Sequence, residues 1–373
     1  NDKMAKINTR SPYYIYLNES DLTSATLKLW IYSGNQGTAP TTPTYTLNST
    51  AVNSTINFEI SELVRDYMDY NPSTVSTPVV WVDYQITKIV AGVESVLTTV
   101  QNKGFYGYGY FQEGINPQND SSLLQSNLKI VKLDDAAVYL PVDSSKASSV
   151  SFYHNGQEIY NQNITGSLSN LLQIQYITNS VSPSDEFEDR VLNDGGTFED
   201  NLCLDSFLDS TTLFPVDTIY VNSIDGSVDL IKVENIEECK YQPYKLSFIN
   251  KFGALQDVWF FKRSNKQLST KKEGFKRNTL TANSYAIDQH QQKNLYKMGT
   301  EKMDLNTGYY PEDYNDVFKE MQLSEDAWIE IDNQIIPVNI TDSSFSYKTS
   351  LNDKLINYTI KIDFAFDTIN NIR

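Results

Sequence analysis

Apolar and polar positions alternate with a period of two along much of the chain. Leu27, Leu29 and Ile31 alternate with Lys28, Trp30 and Tyr32, the pattern of a strand with one buried face. Ser33-Gly34-Asn35-Gln36-Gly37 breaks this strand, and Pro40 and Pro43 oppose immediate re-entry into a sheet. A second alternation sets Val80, Val82, Tyr84 and Ile86 against Trp81, Asp83, Gln85 and Thr87. Between the two, Ile60, Leu63, Val64, Tyr67 and Met68 fall at helical spacing, with Asn71-Pro72 as the expected stop. This stripe is read as packing on the sheet.

Two hairpins are marked further on. Residues 150–154 run into Asn155-Gly156, the strongest short hairpin signal, and return through Glu158-Ile159-Tyr160. Residues 219–221 and 228–231 flank Asp225-Gly226 in the same way. The last segment begins with the string Tyr244 to Gly253, after which a strand is expected to resume through Val258-Trp259-Phe260-Phe261. Pro311-Glu312-Asp313 then opens a second helix with Tyr314, Val317, Phe318 and Met321 as its apolar stripe. The chain closes on an alternation through Ile356, Tyr358, Ile360, Ile362, Phe364 and Phe366, which predicts one unusually long strand.

The expected fold is therefore mainly β: several β-sandwich or barrel-like modules with a few short helices. The domains are read as an N-terminal β-sandwich module over 1–115, a middle β module over 116–240 with an acidic loop, and a C-terminal β module over 241–373 with a basic patch and the long terminal strand. A length of 373 residues suits two or three cores, and 25 Tyr with 17 Phe place the apolar content in side chains that favour pleated surfaces.

Charge changes this picture because it is uneven. Thirty Lys and Arg face 47 Asp and Glu, a net of −17. Residues 182–210 carry nine acids, among them Asp185, Glu186, Glu188 and Asp189, against Arg190 alone. A divalent cation could use such oxygens, but ordered ligand spacing is missing, and a solvated loop is the favoured reading. Lys262, Arg263, Lys266, Lys271, Lys272, Lys276 and Arg277 stand against Glu273, a net of +6 in sixteen residues. This patch suits nucleic acid weakly in so acidic a chain, and suits an acidic protein surface equally well. The seven cations and four named acids are the candidate subunit contacts, with 262–277 expected to meet 182–210 of a neighbouring copy.

Candidate chemistry is sparse. His154 and His290 are the two histidines, and neither lies near a nucleophile motif. Cys203 and Cys239 lack partners at metal spacing and are read as buried free thiols, a disulfide being the minority reading. Phosphate-binding loops are absent, and no feature selects a catalytic carboxylate pair from so many acids. The string Gly104-Phe105-Tyr106-Gly107-Tyr108-Gly109-Tyr110-Phe111 offers a stacking platform for a ligand, or an edge or interdomain strand whose glycines admit close backbone approach, which is the preferred reading. No run of 18 apolar residues exists, so no membrane insertion is expected. The start lacks a signal-peptide core, and earlier removal of a leader stays open. The expectation is a non-enzymatic protein with no cofactor and no metal.

The strings Lys6-Ile7-Asn8-Thr9-Arg10-Ser11-Pro12-Tyr13-Tyr14-Ile15-Tyr16-Leu17 and Leu27-Lys28-Leu29-Trp30-Ile31-Tyr32-Ser33-Gly34 resemble virion proteins of crAss-like phages and other tailed phages of Bacteroidetes hosts. Asn250-Lys251-Phe252-Gly253-Ala254-Leu255-Gln256-Asp257-Val258-Trp259-Phe260-Phe261 adds to the likeness. The resemblance implies a structural subunit of an oligomeric ring or tail barrel in the virion, between portal and distal tail, through which DNA passes. It implies homo-oligomerisation, contact with other tail and portal proteins, no sequence-specific nucleic-acid binding and no catalytic residues. The alternative is a secreted or surface β-sandwich adhesin or glycan-binding protein that uses exposed aromatics.

Overall fold

The computed structural model describes residues 5–34, 36–68, 79–119, 121–134, 136, 138–164, 216–280, 282–342, 346–347 and 355–369, and the backbone of 172–176. The protein is mainly β, with several sheets and two short α-helices among the described residues. The chain divides into two compact units. The first comprises Asn1–Glu237, Ser247–Val258 and Asp316–Ser324; the second comprises Glu238–Leu246, Trp259–Asn315 and Glu325–Arg373.

The first unit begins with β1 (Lys6–Asn8), β2 (Tyr14–Asn18), β3 (Leu22–Tyr32), β4 (Tyr45–Thr50), β5 (Thr55–Glu59), α1 (Ser61–Arg65), β6 (Val79–Val90), β7 (Val93–Val96) and β8 (Val100–Phe105). One sheet runs in the order β1-β8-β6-β3-β4 with β7 also on β6, and β2 pairs with β5. Leu27, Leu29 and Ile31 of β3 are buried as their alternation predicts, and they share a core with Ile15, Ile56, Phe58, Ile60 and Val64. Two layers and a short helix thus close a sandwich-like core.

Two expectations change here. Residues 79–83 are buried on both faces of β6, because the second face has its own cover. Trp81 Nε1 donates to the Gly34 carbonyl at 2.8 Å, the Lys103 ammonium lies 5.1 Å from the Trp81 ring, and the Tyr32 hydroxyl donates to Asp83 at 2.9 Å. The helix is also shorter than its apolar stripe. After Arg65 the backbone tightens, with Tyr67 N donating to Val64 O and Met68 N to Arg65 O, so Ile60 and Val64 are fully buried while Tyr67 is exposed. The expected stop at Asn71-Pro72 lies outside the described residues.

The unit continues through β9 (Lys129–Leu133), β10 (Val138–Val142), β11 (Ala147–His154), β12 (Gln157–Asn163), β13 (Leu172–Tyr176), β14 (Thr218–Ser223) and β15 (Val228–Ile236). Their main sheet has the order β12-β11-β14-β15-β9, and β10 pairs with β13. Both predicted hairpins form. Asn155 and Gly156 adopt φ of 49° and 79°, the left-handed values that a two-residue turn matching strand twist requires. Val150, Phe152, Ile219, Val221 and Ile231 form the buried side. Strands β16 (Tyr244–Ile249) and β17 (Leu255–Phe260) neighbour each other. The second predicted helix is α2 (Asn315–Gln322), and Val317, Phe318 and Met321 are buried on its apolar side.

The second unit holds β18 (Lys262–Lys276), β19 (Gln292–Asn306), β20 (Tyr310–Pro311), β21 (Ala327–Ile331), β22 (Gln334–Ile340), β23 (Leu355–Ile356) and β24 (Thr359–Phe364). Antiparallel pairing runs β21-β22-β24-β19-β18, and β20 pairs with β23. Met303, Leu305, Ile329, Val338, Ile360, Ile362 and Phe364 fill its core.

The expected long terminal strand is broken in two. Ile356 pairs with Tyr310, whereas β24 starts at Thr359 beside β19. Tyr358 causes the break: its backbone N–H donates to Thr307 Oγ1 at 2.8 Å and its hydroxyl to Asn315 Oδ1 at 2.5 Å. The alternation of burial holds from Ile356 through Tyr358, Ile360 and Ile362 to Phe364 and ends there, because Phe366 lies beyond β24 and is exposed. The longest strands are instead β18 and β19, each of 15 residues.

Candidate functional site

The basic patch predicted from sequence is a strand of a long antiparallel ribbon. β18 pairs with β19 from Lys262 opposite Asn306 to Lys276 opposite Gln292. Only the base of this ribbon is supported within the second unit. There β24 pairs with residues 302–306, Thr368 N donates to Gly299 O at 2.8 Å, and Met303 and Leu305 are buried. Beyond Gly299 no described strand flanks either edge. Residues 267–276 and 292–297 are exposed on both faces, over about 33 Å and about 20 Å respectively at roughly 3.3 Å per residue.

Leu268, Phe275, Leu295 and Tyr296 are exposed along the ribbon, as are Leu280, Tyr285 and Ile287 in its connecting segment, with Ile287 at 95%. An isolated two-stranded ribbon is marginally stable in water. An exposed edge of this length is also a template for another chain.

The seven predicted cations divide by position. Lys262 sits at the base with its ammonium 2.6 Å from Glu238 Oε2. That hydrogen bond, aided by the Lys240 backbone N–H, holds the Glu238 carboxyl below its usual range. Arg263 is exposed at a register shift, and Lys266 lies 5.9 Å from the Phe364 ring. Lys271 faces Met298, Lys276 faces Gln292, and Lys272 faces Lys297 directly across the ribbon. Arg277 closes the far end, donating from Nε to the His290 carbonyl at 2.9 Å.

Asp185, Glu186, Glu188 and Asp189 lie outside the described residues, so the structure brings none of them to these cations. Lys293, Lys297 and the exposed apolar residues belong to the same ribbon but were missed in the sequence. Their one signal is length: two charged runs without proline, joined by a polar segment. A ribbon exposed on both faces has no buried side, and so no alternation to detect.

The aromatic-glycine string has a different role. A Cβ on Gly107 would meet the Lys251 carbonyl oxygen at 2.7 Å, and one on Gly109 would meet Pro117 Cδ at 2.3 Å. The glycines therefore admit close approach, as preferred from sequence, but the expected strand ends with β8 at Phe105, and beyond it Tyr108 N donates to Lys251 O at 2.9 Å. The tyrosine faces are occupied by cations. The Arg10 guanidinium lies 4.8 Å from the Tyr108 ring, Arg65 5.2 Å from Tyr106, and Lys319 and Lys251 3.8 and 4.5 Å from Tyr110. Burial pushes the Tyr108 and Tyr110 phenols up. Next to them, burial raises the Glu320 carboxyl to about 7, although Ser126 Oγ and the Lys251 backbone N–H both donate to it.

A buried ion cluster had no sequence signal. The Lys6 ammonium lies 2.8 Å from Asp143 Oδ2 and the Lys103 ammonium 3.7 Å from Oδ1. Burial alone would raise the Asp143 carboxyl, but the two ammonium groups and Ser145 bring it down to about 2. Burial lowers both lysines. Two cations around one carboxylate are a packing solution for the first unit rather than a reactive pair.

The remaining candidates are dispersed. His154 Nδ1 is 3.8 Å from Asp217 Oδ2 at a hairpin end, and His290 is exposed. Cys239 is an exposed free thiol, a correction to the buried reading; it sits among Glu237, Glu238 and Lys240, which favour water. Cys203 lies outside the described residues. Among the described residues no group of three or more His, Cys, Asp or Glu is placed to hold a metal, and no helix is long and apolar enough to cross a membrane. No protein-family model matches the chain, and a search of curated proteins returns no match.

Proposed function

We propose that the chain is a structural subunit of a tailed-phage virion, assembling with copies of itself into a ring or tail barrel. The observation that carries this reading is the β18–β19 ribbon, long, basic and exposed on both faces. Large apolar side chains on such a ribbon gain about 1.5–3 kcal/mol each when fully buried, so they favour a partner strongly. The strings at 6–17, 27–34 and 250–261, which resemble phage virion proteins, give the assembly its class. The strong negative charge of the rest of the chain suits a channel wall, because it would repel DNA phosphates during passage.

The adhesin reading has less support, since Tyr106, Tyr108 and Tyr110 already pack against Arg10, Arg65, Lys251 and Lys319. Mass spectrometry of purified virions tests the proposal, together with electron microscopy of the purified chain. The expected result is a stoichiometric virion protein located in the tail region. Absence from virions, or retention of a monomer on host glycans, would overturn it.

A further inference from the structure

We propose that the ribbon is an assembly arm whose partner is the acidic body of a second copy of this chain, in a one-way contact. This rests on the subunit reading above and adds the partner, the chemistry and the direction of the contact. Residues 262–306 hold ten Lys and Arg against four Asp and Glu, while the other residues hold 20 against 43. The arm is thus +6 on a chain whose remainder is −23. A second copy supplies the strongest counter-charge that the sequence itself provides.

The arm is unbalanced on its own. Lys272 lies directly opposite Lys297, a placement that destabilises a ribbon unless an anion answers it. Among the described residues, Lys271, Lys272, Lys276, Lys293 and Lys297 form no ion pair, and the arm's ion pairs are at its base, Lys262 with Glu238 and Lys302 with Asp363. Leu268, Phe275, Leu280, Ile287 and Leu295 distinguish the partner class. A phosphate backbone would leave these side chains in water, whereas a protein surface buries them.

Direction follows from the charge together with the ring reading above. Two arms repel each other, which excludes an arm-to-arm contact but leaves a twofold dimer in which each arm meets the other's body; a closed dimer as the sole oligomer would overturn the one-way contact. The arm of one copy meets the body of the next, a heterologous contact that closes into a ring or continues as a filament.

The test uses the full chain, the triple variant K271E/K272E/K276E, and a chain in which residues 269–300 are replaced by Asn-Gly. Light scattering after size exclusion follows association at about 50 mM and about 500 mM salt, where screening differs by several-fold. The intact chain is expected to associate at low salt and to weaken at high salt. The triple variant should lose association by about tenfold or more and, being altered only at exposed positions, should keep its circular dichroism. The arm-shortened chain should not associate with itself, yet should enter complexes with labelled intact chain, because its acceptor surface remains.

Oligomers unchanged by both variants would overturn the arm contact and leave the virion-subunit reading intact. A persistent monomer at about 100 μM would also overturn it, since a contact that builds an assembly should act well below that concentration. Arm-dependent binding to duplex DNA without self-association would replace it with a nucleic-acid contact. Absence from virions with arm-dependent oligomers present would instead overturn the phage assignment alone.

Discussion

Replacing Glu320 by glutamine should remove a pH dependence of stability that is built into the first unit. The carboxyl is buried beneath the aromatic-glycine string, and burial is the main cause of its elevation from 4.5 to about 7. The nearby Asp316 charge raises it further, while the Ser126 hydroxyl, the Lys251 backbone N–H and the Lys251 ammonium act in the opposite direction. Between pH 4.5 and 7 the folded chain therefore binds more protons at this position than the unfolded chain. Stability from this group is fully present below 4.5 and is lost as pH rises through 7. At about 1.4 kcal/mol per pH unit, the loss is about 3 kcal/mol.

Glutamine can keep both hydrogen bonds, turning its oxygen to the Lys251 N–H and its amide to Ser126 Oγ, without ever carrying a buried charge. Urea unfolding followed by tryptophan fluorescence, with Trp30 and Trp81 in the first unit as reporters, measures the difference. E320Q should match the parent near pH 5 and exceed it by up to about 3 kcal/mol near pH 8. Parallel pH profiles for the two chains, or a variant weaker than the parent at pH 8, would refute the reasoning.

Other outcomes follow from the same geometry. Asp143→Asn leaves Lys6 and Lys103 buried without their carboxylate and should cost about 3–5 kcal/mol in urea unfolding. In the parent, Asp143 stability is present above its unfolded value of 3.8 and should disappear as pH falls towards about 2, visible as acid unfolding that D143N lacks. Gly107→Ala places a methyl group 2.7 Å from the Lys251 carbonyl and should lower stability by about 1–3 kcal/mol; an unchanged midpoint would show that the string moves freely. Cys239 should react with a water-soluble thiol reagent in the native chain, as its exposure requires, and native protection would show that the site is covered.

The parts of the fold that could be read from sequence are those where one face is buried and the other wet. Leu27, Leu29 and Ile31 revealed β3 for that reason, and the strict φ requirement at Asn155-Gly156 revealed a hairpin without any tertiary information. Features set by distant partners were harder to read. The Lys6, Asp143 and Lys103 cluster joins three separate sequence regions, and β6 is covered on its second face by contacts from Gly34, Lys103 and Tyr32. Tyr358 breaks the last strand through Thr307 and Asn315, while the alternation of burial continues across the break from Ile356 to Phe364.

The arm is the opposite case. Its cations were conspicuous, but its strands were not, because a ribbon exposed on both faces has no buried side to impose a period. That same lack of periodicity is a physical statement about the arm. A sequence with no inside, carrying Ile287 and Leu268 beside lysines that form no ion pair among the described residues, has left the burial of its apolar groups to another surface. Hydrogen exchange makes this measurable: amides at 270–276 and 292–298 should exchange rapidly in dilute chain and become protected in proportion to assembly. Protection already complete in the monomer would mean that the arm is supported within its own chain, and the case for a second copy would fall with it.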